Sequence, residues 1–186
     1  EFPLRLVGSE MCIRDRDITM FQWGKKRGGT EGIEKIYNIV VSQSRRPELF
    51  AEFSVADTLD GRFDLLSLHM CLIFKRLKLE GNNYKPFAQS LFDFMFQDMD
   101  RSLREIGVGD LSVGKRVKEM GRAFLGRLEV YETVIKVNDI SLEEALIRNV
   151  YRSEPLLSQN ASKLANYVRR VDAKFCLLYT SDAADE

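Results

Sequence analysis

The sequence predicts an all-α fold, a single compact domain of about six helices, on three observations. Apolar residues recur at spacings of three and four in every long segment, and no stretch alternates apolar with polar residues as a half-buried strand would. Proline, glycine and capping residues fall where the periodic segments meet.

The first helix carries Ile33, Ile36, Tyr37, Val40 and Val41 at i, i+3, i+4, i+7 and i+8, one apolar face. It must stop near Arg46, because Pro47 disfavours helical backbone in the residue before it. Residues 47 to 59 read as a loop. A second helix follows, which Asp57, Thr58 or Asp60 can cap by accepting a free backbone amide, and Gly81 with the asparagines after it ends that helix. The third starts near Pro86, a residue tolerated in a first turn. It carries Phe87, Leu91, Phe92, Phe94, Met95, Phe96, Met99, Leu103 and Ile106, apolar on more than one face and therefore with surface to spare for a partner.

Gly107 and Gly109 punctuate the chain, and Asp110 is placed to cap a fourth helix. Its stripe of Val113, Val117, Met120, Phe124, Leu128, Tyr131 and Ile135 is the cleanest in the sequence. Ser141 and Glu144 have capping-box form at the start of a short fifth helix. Pro155 opens a sixth, in which Leu157, Ala161, Leu164, Val168, Val171 and Phe175 keep the helical period.

The two ends stand apart. Back-translated, MCIRD and its flanking residues give a string whose reverse complement encodes Cys176-Leu177-Leu178-Tyr179-Thr180-Ser181. Residues 1–16 and 176–186 therefore read as one inverted DNA tag, the translated end of a sequencing adapter, and are set apart from fold reasoning. The native domain is expected over 17–175, with Met20 as the natural start and a natural C-terminus lying further on. Leu178 continues the rhythm of Val171 and Phe175, so the last helix is expected to run on into this tail.

Without these ends the 28 basic and 28 acidic residues become 25 and 22, about +3, too balanced to announce nucleic-acid readout. Of three cysteines only Cys71 remains, which makes neither a disulfide framework nor a metal cluster. The most apolar stretch, Phe63 to Phe74, is interrupted by Asp64, Ser67 and His69 and falls short of the ~20 residues a membrane span requires. From Met20 the sequence MFQWGKKRGG is neither a signal peptide nor a transit sequence, so a cytoplasmic protein is expected.

Motifs that carry chemistry are sparse. In GDLSVGKR, Gly109, Gly114 and Lys115 have the spacing of a phosphate-binding loop, the alternative reading of this chain as a nucleotide-binding protein. Arg116 stands where the magnesium-holding hydroxyl belongs, however, and a helix precedes the motif instead of a strand. Gly114, Gly121 and Gly126 each cost a helix interior about 1 kcal/mol against Ala and so point to a closely passing backbone. Lys115, Lys118 and Arg122 share one side of the fourth helix, and Asp93, Asp100 and Arg104 one side of the third. His69, the single histidine, reads as a hydrogen-bonded core residue, and no nucleophilic triad can be assembled around it. Asp57, Asp60 and Asp64 are explained by capping and by pairing with Arg62 more simply than by metal.

Three blocks, QSRRPELF, DTLDGRFDLLSLH and LFDFMFQDMDRSLREIGVGDLSVGKRVKEMGRAFLGR, together resemble the ubiquinol-cytochrome c chaperone family. Its mitochondrial members assist assembly of the respiratory cytochrome bc complex. The resemblance covers about Ile36 to Tyr131. It implies a non-enzymatic, all-helical assembly factor without cofactor or metal that binds newly made cytochrome b or another bc-complex subunit. A small co-chaperone, the ribosome and the inner face of the membrane are the implied surroundings. The absence of a transit sequence points to a bacterial relative; a eukaryotic member would be mitochondrial.

Residue by residue, the motifs match at Asp57, Asp60, Gly61, Arg62, Phe63, Asp64, His69, Asp93, Asp98, Asp100, Arg104, Gly107, Gly109, Asp110, Gly114, Lys115 and Lys118. The chain departs at Ala56, often proline in the family, and at Leu125, often aromatic. The charged members of this set, with Arg122, are the candidate client contacts, on a face built by the third and fourth helices. Gly61, Gly107, Gly109, Asp110, Gly114 and Gly121 are expected to serve turns and close packing.

Overall fold

The computed structural model describes residues 30–79, 84–135, 141–152 and 158–182, the side chains of Thr30, Ser158 and 176–182 excepted. The expectations for residues 1–16, Met20, Gly81, Pro155 and Leu157 lie outside the described residues. The described elements are all helices: α1 (Thr30–Ser44), α2 (Pro47–Ala51), α3 (Leu59–Leu79), α4 (Lys85–Glu105), α5 (Asp110–Val134), α6 (Ser141–Asn149) and α7 (Ser158–Asp182). The all-α class is as the periodicity predicts. The one added element is α2, inside the segment read as a loop. Pro47 that ends α1 also opens α2, its missing N–H costing nothing in a first turn, and Leu49 is buried. The last helix runs on into the C-terminal tail, to Asp182.

The described residues fall into two compact units, one within the bounds Glu1–Asn38 and Pro86–Leu125, the other within Ile39–Lys85 and Gly126–Glu186. In the first, the N-terminal part of α1 meets α4. Tyr37 stands edge-on to Phe94 with ring centroids 5.2 Å apart, and its hydroxyl donates to Asp98 at 2.9 Å. On another side of α4, Phe92 and Phe96 pack on Phe124 of α5 at centroid distances of 5.8 and 6.0 Å. Much of the second apolar face of α4 is thus packed within its own unit, while Phe87, Phe92 and Phe94 stay only half-buried. Among the large apolar residues assigned to this helix, Ile106, just past its end, is exposed.

The second unit is organised on α3, in which every residue from Phe63 to Leu72 is buried. Thr58 is the cap the sequence left open among three candidates. Its Oγ1 accepts the Gly61 amide at 3.1 Å, while its carbonyl accepts that of Arg62 at 2.9 Å. Gly61 is forced by packing, since a Cβ there would lie 2.0 Å from the Ala56 carbonyl oxygen. Leu128 and Tyr131 of α5, Leu142, Ala145 and Leu146 of α6, and Ala161, Leu164, Ala165 and Val168 of α7 are likewise buried. Arg169 of α7 grips Glu143 of α6 with two hydrogen bonds of 2.9 and 3.1 Å.

Candidate functional site

The α4–α5 turn is built by its glycines. Gly107 adopts φ of 89°, and the amides of Gly107 and Val108 bond back to the carbonyls of Arg104 and Leu103, both at 3.0 Å. This is a Schellman ending, which needs the left-handed residue at its centre. The carbonyl of Gly109 accepts the amides of Ser112 and Val113, so the chain enters α5 at Asp110. Asp110, expected to cap, stands instead at the first helical position and accepts Arg104 Nη1 at 2.6 Å, while Arg104 Nε reaches Asp100 at 2.6 Å. One guanidinium therefore ties the end of α4 to the start of α5, and its own pKa rises through the Asp100 hydrogen bond.

The segment GDLSVGKR is consequently helix from its second residue. Residues 110–114 therefore do not form the loop that a phosphate-binding motif places between its two glycines, which speaks against the nucleotide-binding alternative. The glycines of α5 do not share one cause. A Cβ at Gly121 would meet the Phe96 ring at 3.7 Å, an ordinary contact with a side chain, and at Gly114 and Gly126 it would meet no described atom within 4 Å, so the closely passing backbone expected at the three is corrected.

The acidic candidates of this unit are engaged at short range. Asp93 accepts Gln89 Nε2 at 2.8 Å, and partial burial raises its pKa. Asp98 takes both Tyr37 and Arg101. Lys115, Lys118 and Arg122 differ: all three are exposed, and among the described residues none has an ion-pair partner.

In the second unit, Arg62 Nε holds Asp57 at 2.6 Å, and this hydrogen bond lowers the Asp57 pKa. Asp60 lies 3.3 Å from Arg152. Asp64, only 1 % exposed, accepts Arg127 Nη2 at 2.6 Å and lies 3.5 Å from Arg152 Nη2. Burial nonetheless pushes its carboxyl up to about 6, against the pull of the two arginines. Arg127 lies over the Phe63 ring, 5.1 Å from its centroid. Arg152, with φ of 52°, is one of two non-glycine residues in the left-handed region among the described residues; the other is Ser54. Tyr151 donates to the carbonyl of Phe53 at 2.8 Å, fastening these two turns together.

His69 is a core residue, as its apolar neighbours predict. Nδ1 lies 2.8 Å from the Leu65 carbonyl and must donate to it, so Nε2 accepts the Tyr167 hydroxyl, also at 2.8 Å. Burial holds its pKa below the usual imidazole range. Lys75, buried on α3, reaches both oxygens of Asp172 at 2.6 Å.

The sequence reading omitted Arg127, Arg152 and Tyr167. Arg127 alone carried a signal: it directly precedes Leu128 at the margin of the cleanest apolar stripe, where a cation needs a buried partner.

The family model for the ubiquinol-cytochrome C chaperone matches residues 51–182, and the chain belongs to that family. Among solved structures, the crystal structure of the Cbp3 homolog from Brucella abortus is similar with a TM-score of 0.70 and 34% identity, over 79% of this chain and 81% of that one. The ubiquinol-cytochrome-c reductase complex assembly factor 1 of Xenopus laevis is 24% identical over 136 residues, 73% of this chain and 68% of that protein. Its Homo sapiens counterpart is 25% identical over the same length, and the chain spans 46% of it.

Proposed function

We propose that this chain is a non-enzymatic assembly factor for the ubiquinol-cytochrome c reductase that binds newly made cytochrome b or another bc-complex subunit. The observation that carries the reading is the family match over residues 51–182. It is supported by the likeness to assembly factor 1 from vertebrates and to the Cbp3 homolog. A role without catalysis is supported by how the reactive groups are engaged. Both ring nitrogens of His69 are held, and burial pushes the Cys71 thiol up, away from the thiolate a nucleophile needs.

The chain works at the inner face of the cytoplasmic membrane, with a small co-chaperone and the ribosome as further partners. No helix among the described residues is long and apolar enough to cross a membrane. The α4–α5 end of the first unit, with Lys115, Lys118 and Arg122 presented on α5, is turned toward the place where the client is made. The test is affinity capture with the full chain from a respiring bacterium that depends on it for assembly. Recovery of cytochrome b, and loss of the assembled complex when the gene is deleted, are expected. Normal assembly in the deletion strain would reject the proposal.

A further inference from the structure

We infer that the N-terminal half of α5 and the turn before it form a docking surface for an anionic lipid bilayer. The inference deepens the assembly-factor reading and rests on it for its setting, a client made at a membrane. Leu111, Lys115, Lys118 and Arg122 follow one another at spacings of four, three and four, a single stripe about 16 Å long at 1.5 Å per residue. Within the first unit, Lys35, Arg101 and Arg104 are each ion-paired, to Glu31, Asp98, and Asp100 with Asp110. The cations of the stripe, like Arg116 next to Lys115, have no such partner among the described residues, so four exposed cations stand unpaired between residues 115 and 122, with Glu119 the one acid among them.

Two aliphatic side chains lie beside that charge. Leu111 is fully exposed and Ile106 is 60% exposed, on either side of a turn fixed by Gly107 and its backbone hydrogen bonds. A nucleic acid would satisfy the cations but leave both aliphatic groups in water, and the exposed residues of this tip include no aromatic on which a base could stack. Cytoplasmic loops of membrane proteins carry an excess of Lys and Arg and would repel the stripe. A bilayer surface with anionic headgroups accepts both features. Each cation strengthens binding about fivefold there, and the aliphatic tip enters the boundary between headgroups and acyl chains.

The full chain should therefore co-sediment with vesicles of phosphatidylcholine and phosphatidylglycerol mixed two to one, and much less with phosphatidylcholine alone. Replacing Lys115, Lys118 and Arg122 together with Glu should weaken binding by at least about 100-fold, the effect of losing three cations before any repulsion is added, whereas Lys163→Glu, an exposed cation of α7, should leave it unchanged. Leu111→Asp should weaken binding at high salt, where the charge contribution is screened. All these residues are exposed, and an unchanged circular dichroism spectrum and thermal midpoint would show that each variant is folded. Equal binding to both vesicle types, or binding that survives the triple reversal, would overturn the inference. So would loss of cytochrome b capture by the triple variant in lipid-free detergent solution, which would assign the stripe to the client. Because vesicle binding needs no client, its failure would leave the assembly role standing, and failed assembly with intact vesicle binding would do the reverse.

Discussion

Substituting Asp64 with Asn tests the electrostatics at the head of α3 directly. The carboxylate is 1 % exposed, with Arg127 at 2.6 Å and Arg152 at 3.5 Å, yet burial carries its pKa from 3.8 to about 6. The folded protein then holds this proton more tightly than the unfolded chain. The associated stability is fully present below pH 3.8 and is lost as pH rises through about 6. A shift of this size corresponds to about 3 kcal/mol across the whole window, of which roughly 2 kcal/mol falls between pH 4.5 and 7.5. Asn resembles the protonated acid and does not titrate. Urea unfolding followed by circular dichroism, with wild type and Asp64→Asn measured in parallel, isolates this group, because other titrations cancel in the difference. The variant should gain about 2 kcal/mol relative to wild type on passing from pH 4.5 to 7.5. A difference independent of pH, or a variant that loses more than about 3 kcal/mol at pH 7.5 alone, would refute the reasoning, the latter by showing that the arginines outweigh burial.

Three further substitutions probe other parts of the two units. Gly61→Ala must displace the Ala56 carbonyl or the start of α3, and a loss of about 2 to 3 kcal/mol in chemical denaturation is expected. Tyr37→Phe removes the hydrogen bond to Asp98 while keeping the ring against Phe94, and should cost about 1 to 1.5 kcal/mol by the same assay. Asp172→Ala strands the ammonium of buried Lys75, for which a loss of about 3 to 5 kcal/mol is expected. Lys75→Met in the same background should restore much of it.

The helices were legible because each buries a face, and burial writes its period into the sequence. Val113, Phe124, Leu128, Tyr131 and Ile135 all lie in the core as their spacing requires. Short α2 escaped because five residues are too few to show a period, and Pro47 signals an ending and a beginning with equal force. The apolar surface of α4 was legible but its disposition was not: spacing reports that Phe94 needs cover, and only the fold reveals that Tyr37 supplies it. Charges are the least legible, because pairing depends on residues distant in the chain. Arg62 and Asp57, five apart, could be matched by reading; Asp64 and Arg127, 63 apart, could not. The exposed cations of α5 were visible as a row from their spacing, but that they lack ion partners required the structure.

The enclosure of α3 also bears on how the second unit opens. From Leu65 to Leu72 no residue reaches solvent to any appreciable extent, and this stretch of α3 presents no exposed side along which water could enter its hydrogen bonds. Amide protons there have no local fluctuation by which to exchange with deuterium, so their exchange should require cooperative opening of the whole unit. The slowest-exchanging amides of the second unit should fall on this helix, and the same denaturant dependence should govern all of them.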